Sequence, residues 1–318
     1  MLDSKSIQSV SFSGHESFPL RFSWLTKIVR GIEQDPGLFG RPDAIVTLGV
    51  GKNMVRSMRH WALRCGVIES TGKIQKGGSY HPTELGRTIF GEIGLDPYLE
   101  DPSTVWLIHW KLCSGLNTSP TTWYWIFNEL RETSFSARDV VADLMRFAER
   151  LAAGKTPSRG TVERDIACFV RSYIPMEPDR RLSKEETYDS PLTELALLRR
   201  EPETGLIVLE RGSRPTLSDY IFAYALCDYW KRTACDSDTL SFEEVTYRPG
   251  SPGQVFQLTE NAVVKVLGDL HDCTNDCIGF DSTAGVRQLI RHKRIPEPLE
   301  ILTAHYECSN FKETVNAK

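Results

Sequence analysis

A histidine and a glutamate near the start of the chain are the residues best suited to chemistry. His15 and Glu16 lie in a polar stretch that contains Gly14, between Phe12 and Phe18. A histidine can act as a general base or activate water, and a carboxylate can bind Mg²⁺ or Mn²⁺. The same two residues could instead make hydrogen bonds that dock the amino-terminal segment onto the following domain. His15 and Glu16 are therefore candidate catalytic residues, with the docking role left open.

A second polar motif occupies residues 159–165 (RGTVERD). Its arginines could clamp a phosphate group. After Thr161 the apolar residues follow helical spacing, so Glu163 and Asp165 point in different directions and do not form an obvious ligand pair. The alternative is an ordinary capped helix with ion pairs on its surface.

Cysteines and histidines cluster near residues 271–277, where Cys273 and Cys277 have a spacing found among zinc ligands. A second pair with matching spacing is missing, because His305 and Cys308 do not repeat it. Zinc is therefore not expected, and Mg²⁺ or Mn²⁺ is the cofactor left open. The sequence contains no motif of a serine hydrolase or a metalloprotease, so these enzyme classes have no support.

The elements around these motifs suggest how they are positioned. Residues 43–48 predict a short helix that ends at Gly49-Val50-Gly51, and residues 52–65 predict a longer one. Its apolar residues share one face, and the other face carries Lys52, Asn53, Arg56, Arg59 and His60. A helix, a tight turn and a basic amphipathic helix are the order of a helix-turn-helix.

The next residues extend this pattern. Residues 67–70 predict a strand, residues 71–79 a glycine-rich loop with Lys73 and Lys76, and residues 80–82 a second strand before another helix. This order predicts an amino-terminal winged helix-turn-helix. The fold class we expect is α+β, mainly helical, with helical and mixed regions after the winged helix.

Charge favours DNA as the partner of this region. The chain has 38 basic and 42 acidic residues, a net charge of −4. Residues 41–80 hold seven basic and two acidic residues, a local charge of +5. Positive charge concentrated on one face attracts the phosphate backbone. We expect Lys52, Asn53, Arg56, Arg59 and His60 to enter the major groove and Lys73 and Lys76 to lie on the wing. A protein-binding module or a merely solvated basic face is the alternative.

The chain divides by pattern into residues 1–95 (winged helix), 96–175 (helical) and 176–318 (mixed). Tryptophans and other aromatic residues cluster between positions 106 and 127, where they could stack on unpaired bases or pack a helical core. Residues 217–270 suggest a second, degenerate winged unit, in which residues 255–258 form a strand. A basic patch at Arg287, Arg291, Lys293 and Arg294 contacts DNA or is a solvated helix face.

Two phrases resemble a bacterial family first catalogued as a domain of unknown function: residues 12–21 (FSGHESFPLR) and residues 48–56 (LGVGKNMVR). Further similarity lies at residues 161–165, 190–195 and 283–288, so the resemblance covers nearly the whole chain. Members of this family occur in operons for DNA phosphorothioation, in which sulfur replaces a non-bridging phosphate oxygen. The DNA-nicking B component of the Ssp-type defence system is similar to this family.

The resemblance implies a DNA-binding protein of an anti-phage defence and modification system that nicks DNA so that sulfur can be introduced. The alternative is a non-catalytic DNA-binding adaptor or transcriptional regulator that recruits the sulfur-transfer enzymes. A third reading is a protein-interaction scaffold without DNA binding. The expected partners are double-stranded DNA and other proteins of the system, and a homodimer is left open. Without a targeting signal or a long apolar run, we expect a cytoplasmic protein with no membrane contact.

Overall fold

Helices and three small antiparallel sheets build the protein in a computed structural model, which describes residues 10–71, 78–152, 156–175 and 190–316. The predicted mainly helical α+β class is confirmed. The chain divides into two compact units. The first comprises Met1–Ile126 and Leu130–Glu210, and the second comprises Phe127–Glu129 and Arg211–Lys318.

The first unit contains eight of the described helices and two of the sheets. Its helices are α1 (Trp24–Gln34), α2 (Ala44–Leu48), α3 (Lys52–Arg64), α4 (Glu84–Phe90), α5 (Pro102–Cys113), α6 (Thr121–Asn128, which runs into the second unit), α7 (Val140–Leu151) and α8 (Arg159–Tyr173). Strands β1 (Ile68–Thr71) and β2 (Ser79–Pro82) form an antiparallel pair. Strands β3 (Ser134–Phe135), β4 (Leu198–Arg200) and β5 (Ile207–Leu209) form a second sheet, in the order β3-β5-β4.

Helices α2 and α3 are separated by a turn that depends on glycine. Gly49 has a φ of 67°, in the left-handed region that favours glycine. Its N–H donates to the carbonyl of Val46 and closes the end of α2. Helix α3 then begins at Lys52 and buries one apolar face, made of Met54, Val55, Met58, Trp61 and Ala62. The elements from α2 to α4 therefore follow the predicted order. Residues 72–77, and with them Lys73 and Lys76, lie outside the described residues.

The aromatic cluster predicted between positions 106 and 127 is in the interior of the protein. Trp106 and Trp110 on α5 and Trp123 on α6 are fully buried. The rings of Trp61 and Trp123 meet edge to face, with centroids 5.3 Å apart. These side chains therefore pack a helical core and are not exposed for stacking on unpaired bases.

The second unit contains six further helices and one three-stranded sheet. Its helices are α9 (Asp219–Thr233), α10 (Phe242–Tyr247), α11 (Pro252–Val255), α12 (Glu260–Gly268), α13 (Leu270–Thr274) and α14 (Pro298–Asn316). Its strands are β6 (Thr239–Ser241), β7 (Ile278–Asp281) and β8 (Gln288–Arg291), in the order β6-β8-β7. No described helix combines the length and apolar character that crossing a membrane requires.

The strand predicted over residues 255–258 is wrong. Pro252 opens α11 at its first position, and the hydroxyl of Ser251 caps it by accepting from the N–H of Gln254. Arg211 then donates to the carbonyl of Leu258, 2.8 Å away, which ties the apolar run into a buried turn. A short apolar run has no periodicity that separates a strand from such a turn.

Candidate nucleic-acid interface

The predicted basic residues of α3 occupy the face opposite its buried side. Lys52, Asn53 and Arg56 are exposed. Arg59 is half-buried, and its guanidinium carbon lies 5.9 Å from the centroid of the Phe39 ring. Positions 52, 56 and 59 are four and three residues apart, so their side chains follow one another along one side of the helix. The structure thus brings these four residues together.

A groove of about 540 Å³ runs beside this basic face. One wall is the segment that leads into α2 together with the first turn of α2, and the other is α3. Its lining combines four cations with apolar side chains and contains no acidic residue: Phe39, Arg41, Pro42, Ala44, Ile45, Lys52, Val55, Arg56 and Arg59. The groove is therefore positively charged at its edges and apolar inside.

Arg41 is the cation of this groove with two acidic partners. Its guanidinium pairs with Asp43 at 2.5 Å and with Asp35 at 3.1 Å. Hydrogen bonds from the Gly37 N–H and from Arg41 lower the pKa of Asp35, and a hydrogen bond from Arg41 lowers the pKa of Asp43. Since both carboxylates stay ionised, they offset the charge of Arg41 and leave the positive character of the groove to α3.

His60 does not join the exposed side chains. A Cβ atom added to Gly14 would lie 2.2 Å from its Nδ1, so the ring packs directly beneath the backbone at that glycine. Its Nε2 is buried without a hydrogen-bond partner among the described residues. Burial, and secondarily the positive charge of Arg64, holds the pKa of His60 well below its usual range. His60 thus supports the turn at residues 13–17 from below.

His15 is buried, and both nitrogens of its ring are engaged. The backbone N–H of Ser17 donates to Nδ1 at 3.0 Å, so the proton of the neutral ring is on Nε2. That nitrogen lies 2.7 Å from Oδ1 of Asp165 on α8. The two side chains are only 2% and 1% exposed. This is the docking arrangement that the sequence left open.

Asp165 has three hydrogen-bond donors around its carboxylate. Besides His15, the backbone N–H of Ser13 donates to Oδ1 at 2.7 Å, and the hydroxyl of Thr122 donates to Oδ2 at 2.5 Å. A buried carboxylate requires such donors, because burial without them carries a large desolvation penalty. Asp165, on α8, therefore links the amino-terminal turn to both α6 and α8.

The turn that carries His15 has an unusual backbone. Ser13, Glu16 and Ser17 have φ values of 65°, 48° and 67°, although none of them is glycine. Each such residue is uncommon in proteins, and clusters of them occur mainly at functional sites. The carbonyl of Phe18, just beyond, accepts from the indole of Trp61 at 2.9 Å. Contacts on both sides thus hold the turn in a conformation that short peptides disfavour.

Glu16 is the member of the motif that reaches the surface. Its side chain is 34% exposed, and Oε1 lies 3.5 Å from Nη1 of Arg56. An exposed ion pair at this distance is weak, so it does not fix the carboxylate strongly. The strained turn therefore places an accessible acid at the edge of the basic face.

The second polar motif is an ordinary helix start. Ser158 caps α8 by accepting from the N–H of Thr161, and Arg159 pairs with Glu163 at 2.8 Å on the surface. Glu163 and Asp165 point in different directions, as predicted. Sequence reasoning missed that Asp165 meets His15, 150 positions away, and that Phe39 and Ile45 line a groove beside α3. The sequence offered one signal for the contact between His15 and Asp165, which is that each lies in a short polar motif flanked by apolar residues.

No metal centre can be assigned from the donor set. Within residues 10–71, 78–152, 156–175 and 190–316, no group of three His, Cys, Asp or Glu side chains could hold a metal ion. Cys273 and Cys277 are both buried free thiols.

Comparisons with known proteins agree with this architecture over most of the chain. The family model described as "Protein of unknown function (DUF4007)" matches residues 12–306. The "Magnesium ion-bound SspB crystal structure" is similar with a TM-score of 0.84, 29% sequence identity, and coverage of 95% of this chain and 89% of that chain. The "SspB crystal structure" has a TM-score of 0.82 with the same identity and coverage. No curated protein matches the sequence.

Proposed function

The chain belongs to the DUF4007 family and resembles SspB in structure, and from this premise we propose that it is a DNA-binding protein of a phosphorothioate-based modification and defence system. In this proposal it binds double-stranded DNA and nicks it so that sulfur can enter the backbone. The observation that carries the proposal is the exposed face of α3, where Lys52, Asn53 and Arg56 stand beside Arg59.

We interpret α2, α3 and the β1–β2 hairpin as a winged helix-turn-helix, with α3 as the recognition helix. Lys73 and Lys76 belong to the connection between the two strands and would follow the DNA backbone. The second unit has a similar element order, with α9, β6, α10 and α12 before the β7–β8 hairpin. We therefore interpret it as a second winged unit, built differently from the one expected.

The side chains of α3 divide into two roles. Lys52 and Arg59 would neutralise phosphates, which makes binding dependent on salt. Asn53 and Arg56 would contact base edges, since an amide pairs with adenine and a guanidinium pairs with guanine in the major groove. His60, beneath Gly14, would act by supporting the neighbouring turn.

For the nicking step, we propose that Glu16 is the acting carboxylate and that His15 positions it. Glu16 is accessible next to Arg56, whereas His15 is held by Asp165 and Ser17. Nucleases commonly use Mg²⁺ to stabilise the departing oxygen, and the similar SspB protein has been crystallised with magnesium. The described side chains do not form a complete metal site.

A non-catalytic adaptor is the second candidate function. It is favoured by the observation that both ring nitrogens of His15 are occupied and that the ring is buried. Such an adaptor would bind DNA through the same face and recruit the sulfur-transfer proteins of the system.

An assay for conversion of supercoiled plasmid to open circles, with and without Mg²⁺ or Mn²⁺, distinguishes the nicking protein from the non-catalytic adaptor. The nicking proposal predicts that Glu16→Gln abolishes conversion but keeps DNA binding. Glu163→Gln is the matched control, because Glu163 is also an exposed acid paired with an arginine. DNA binding without conversion by the wild-type protein would establish the adaptor instead. Absence of binding to any duplex would overturn both.

A further inference from the structure

We propose that the groove between α2 and α3 binds a single nucleotide extruded from the duplex. This inference rests on the proposed function, because it requires that α3 lies against DNA. A helix-turn-helix contacts DNA through its recognition helix and needs no groove beside it. The inference gives this groove a ligand, which is one nucleotide of the DNA.

The size and lining of the groove fit a nucleotide. Its volume of about 540 Å³ falls within the range of about 300–1,000 Å³ that small-ligand sites have. Its interior offers Phe39, Ile45 and Val55, and a base stacks on such surfaces whatever its sequence. The Phe39 ring is held in place edge-on against Tyr80, with centroids 5.1 Å apart. The stacking surface is therefore already formed.

The charges of the groove fit the phosphates that flank an extruded nucleotide. Arg41 is offset by Asp35 and Asp43, and Arg56 lies 3.5 Å from the carboxylate of Glu16, which leaves Lys52 and Arg59. Neither Lys52 nor Arg59 forms an ion pair in the described part of the chain. Since no acidic residue lines the groove, Lys52 and Arg59 would attract a phosphate there without opposition from the lining, and the weak Glu16 pair leaves Arg56 able to contribute.

An intact duplex leaves these features unused. A double helix is too wide to enter a groove between two adjacent helices, and its stacked bases do not expose their faces. Extrusion of a base costs a few kcal/mol, and least where the base is unpaired or mismatched. The protein should therefore prefer DNA in which one base is already unpaired.

The test compares binding of a matched duplex with binding of the same duplex carrying a single-nucleotide bulge of 2-aminopurine. We expect the wild-type protein to bind the bulged DNA about tenfold more tightly and to quench its fluorescence by stacking. Ile45→Asp should abolish the preference and the quenching. Val46→Asp is the matched control, since Val46 is the next residue, is 77% exposed and does not line the groove. Both variants add the same charge to the same helix.

Three results would overturn the inference. They are equal wild-type affinities for the two DNAs, an unquenched probe, and equal behaviour of Ile45→Asp and Val46→Asp. Phe39→Leu provides a second variant, which should reduce the quenching of the bulged probe. Failure of the protein to bind either DNA would instead contradict the proposed function, so the two failures are distinguishable.

Discussion

The Nε2 atom of His15 lies 2.7 Å from Oδ1 of Asp165, although 150 positions separate the two residues in the sequence. Both side chains are buried, and the contact fastens the turn at residues 13–17 to α8. Through Trp61, which donates to the carbonyl of Phe18, the same turn is fastened to α3. The position of Glu16 beside the basic face is therefore set by contacts with two separate helices.

Loss of the His15 side chain should destabilise the first unit strongly. His15→Ala leaves the buried carboxylate of Asp165 short of a donor, and losing a hydrogen bond to a charged group costs about 1.5–3 kcal/mol. Urea unfolding followed by tryptophan fluorescence reports mainly on the first unit, because Trp230 is the only tryptophan of the sequence outside it. His271→Ala, at an exposed histidine of the second unit, should leave the transition unchanged. Equal transitions for the two variants would show that the His15–Asp165 contact contributes little.

Gly14 should tolerate no side chain. Gly14→Ala places a Cβ 2.2 Å from Nδ1 of His60, and overpacking of this kind costs about 1–3 kcal/mol. Gly160→Ala is the matched control, because nothing lies within 4 Å of its added Cβ and it sits in the first turn of α8. Alanine is the better helix former, so this control should be equally stable or more stable. Thermal unfolding of both variants gives the comparison, and a stable Gly14→Ala protein would contradict the close packing.

His60, whose Nε2 atom is buried, should make stability fall in acid. Its pKa in the folded protein is below the ordinary value of 6.5, so the unfolded chain takes up the proton first. The stability contributed by neutral His60 is therefore complete above about pH 6.5 and is lost below it, by up to about 1.4 kcal/mol per pH unit. The free energy of unfolding should fall less steeply from pH 6.5 to 5 in His60→Gln than in the wild-type protein. Identical slopes would contradict the lowered pKa.

Local patterns were sufficient to predict the elements around α3. Its apolar residues repeat at helical spacing, and Gly49 and Gly66 mark turns with positive φ at both ends. Such signals depend only on neighbouring residues. Residues 255–258 show the limit, because a run of apolar residues becomes a strand or a buried turn according to distant partners such as Arg211.

The candidate site was predictable only in part, for the same reason. Lys52, Asn53, Arg56 and Arg59 belong to one helix, so their spacing placed them on one face. His60 lies at the edge of the same helix face, but the backbone at Gly14 packs against its ring. This contact joins residues far apart in the sequence, so no local pattern predicts it. The partnership of His15 with Asp165 and the groove beside Phe39 likewise arise from residues that meet only after folding.

The central claim, that α3 contacts duplex DNA, is tested most directly by the affinity of Arg56→Ala for a fluorescent duplex measured across a range of salt concentrations. Arg56→Ala should weaken binding by about 1–3 kcal/mol, with wild-type affinity falling steeply as salt rises. Arg146→Ala is the control, because Arg146 is an exposed arginine on a different helix, α7, and pairs with an acid of that helix. Affinity that is unchanged in a folded Arg56→Ala protein, or wild-type binding that is absent at low salt, would contradict the account.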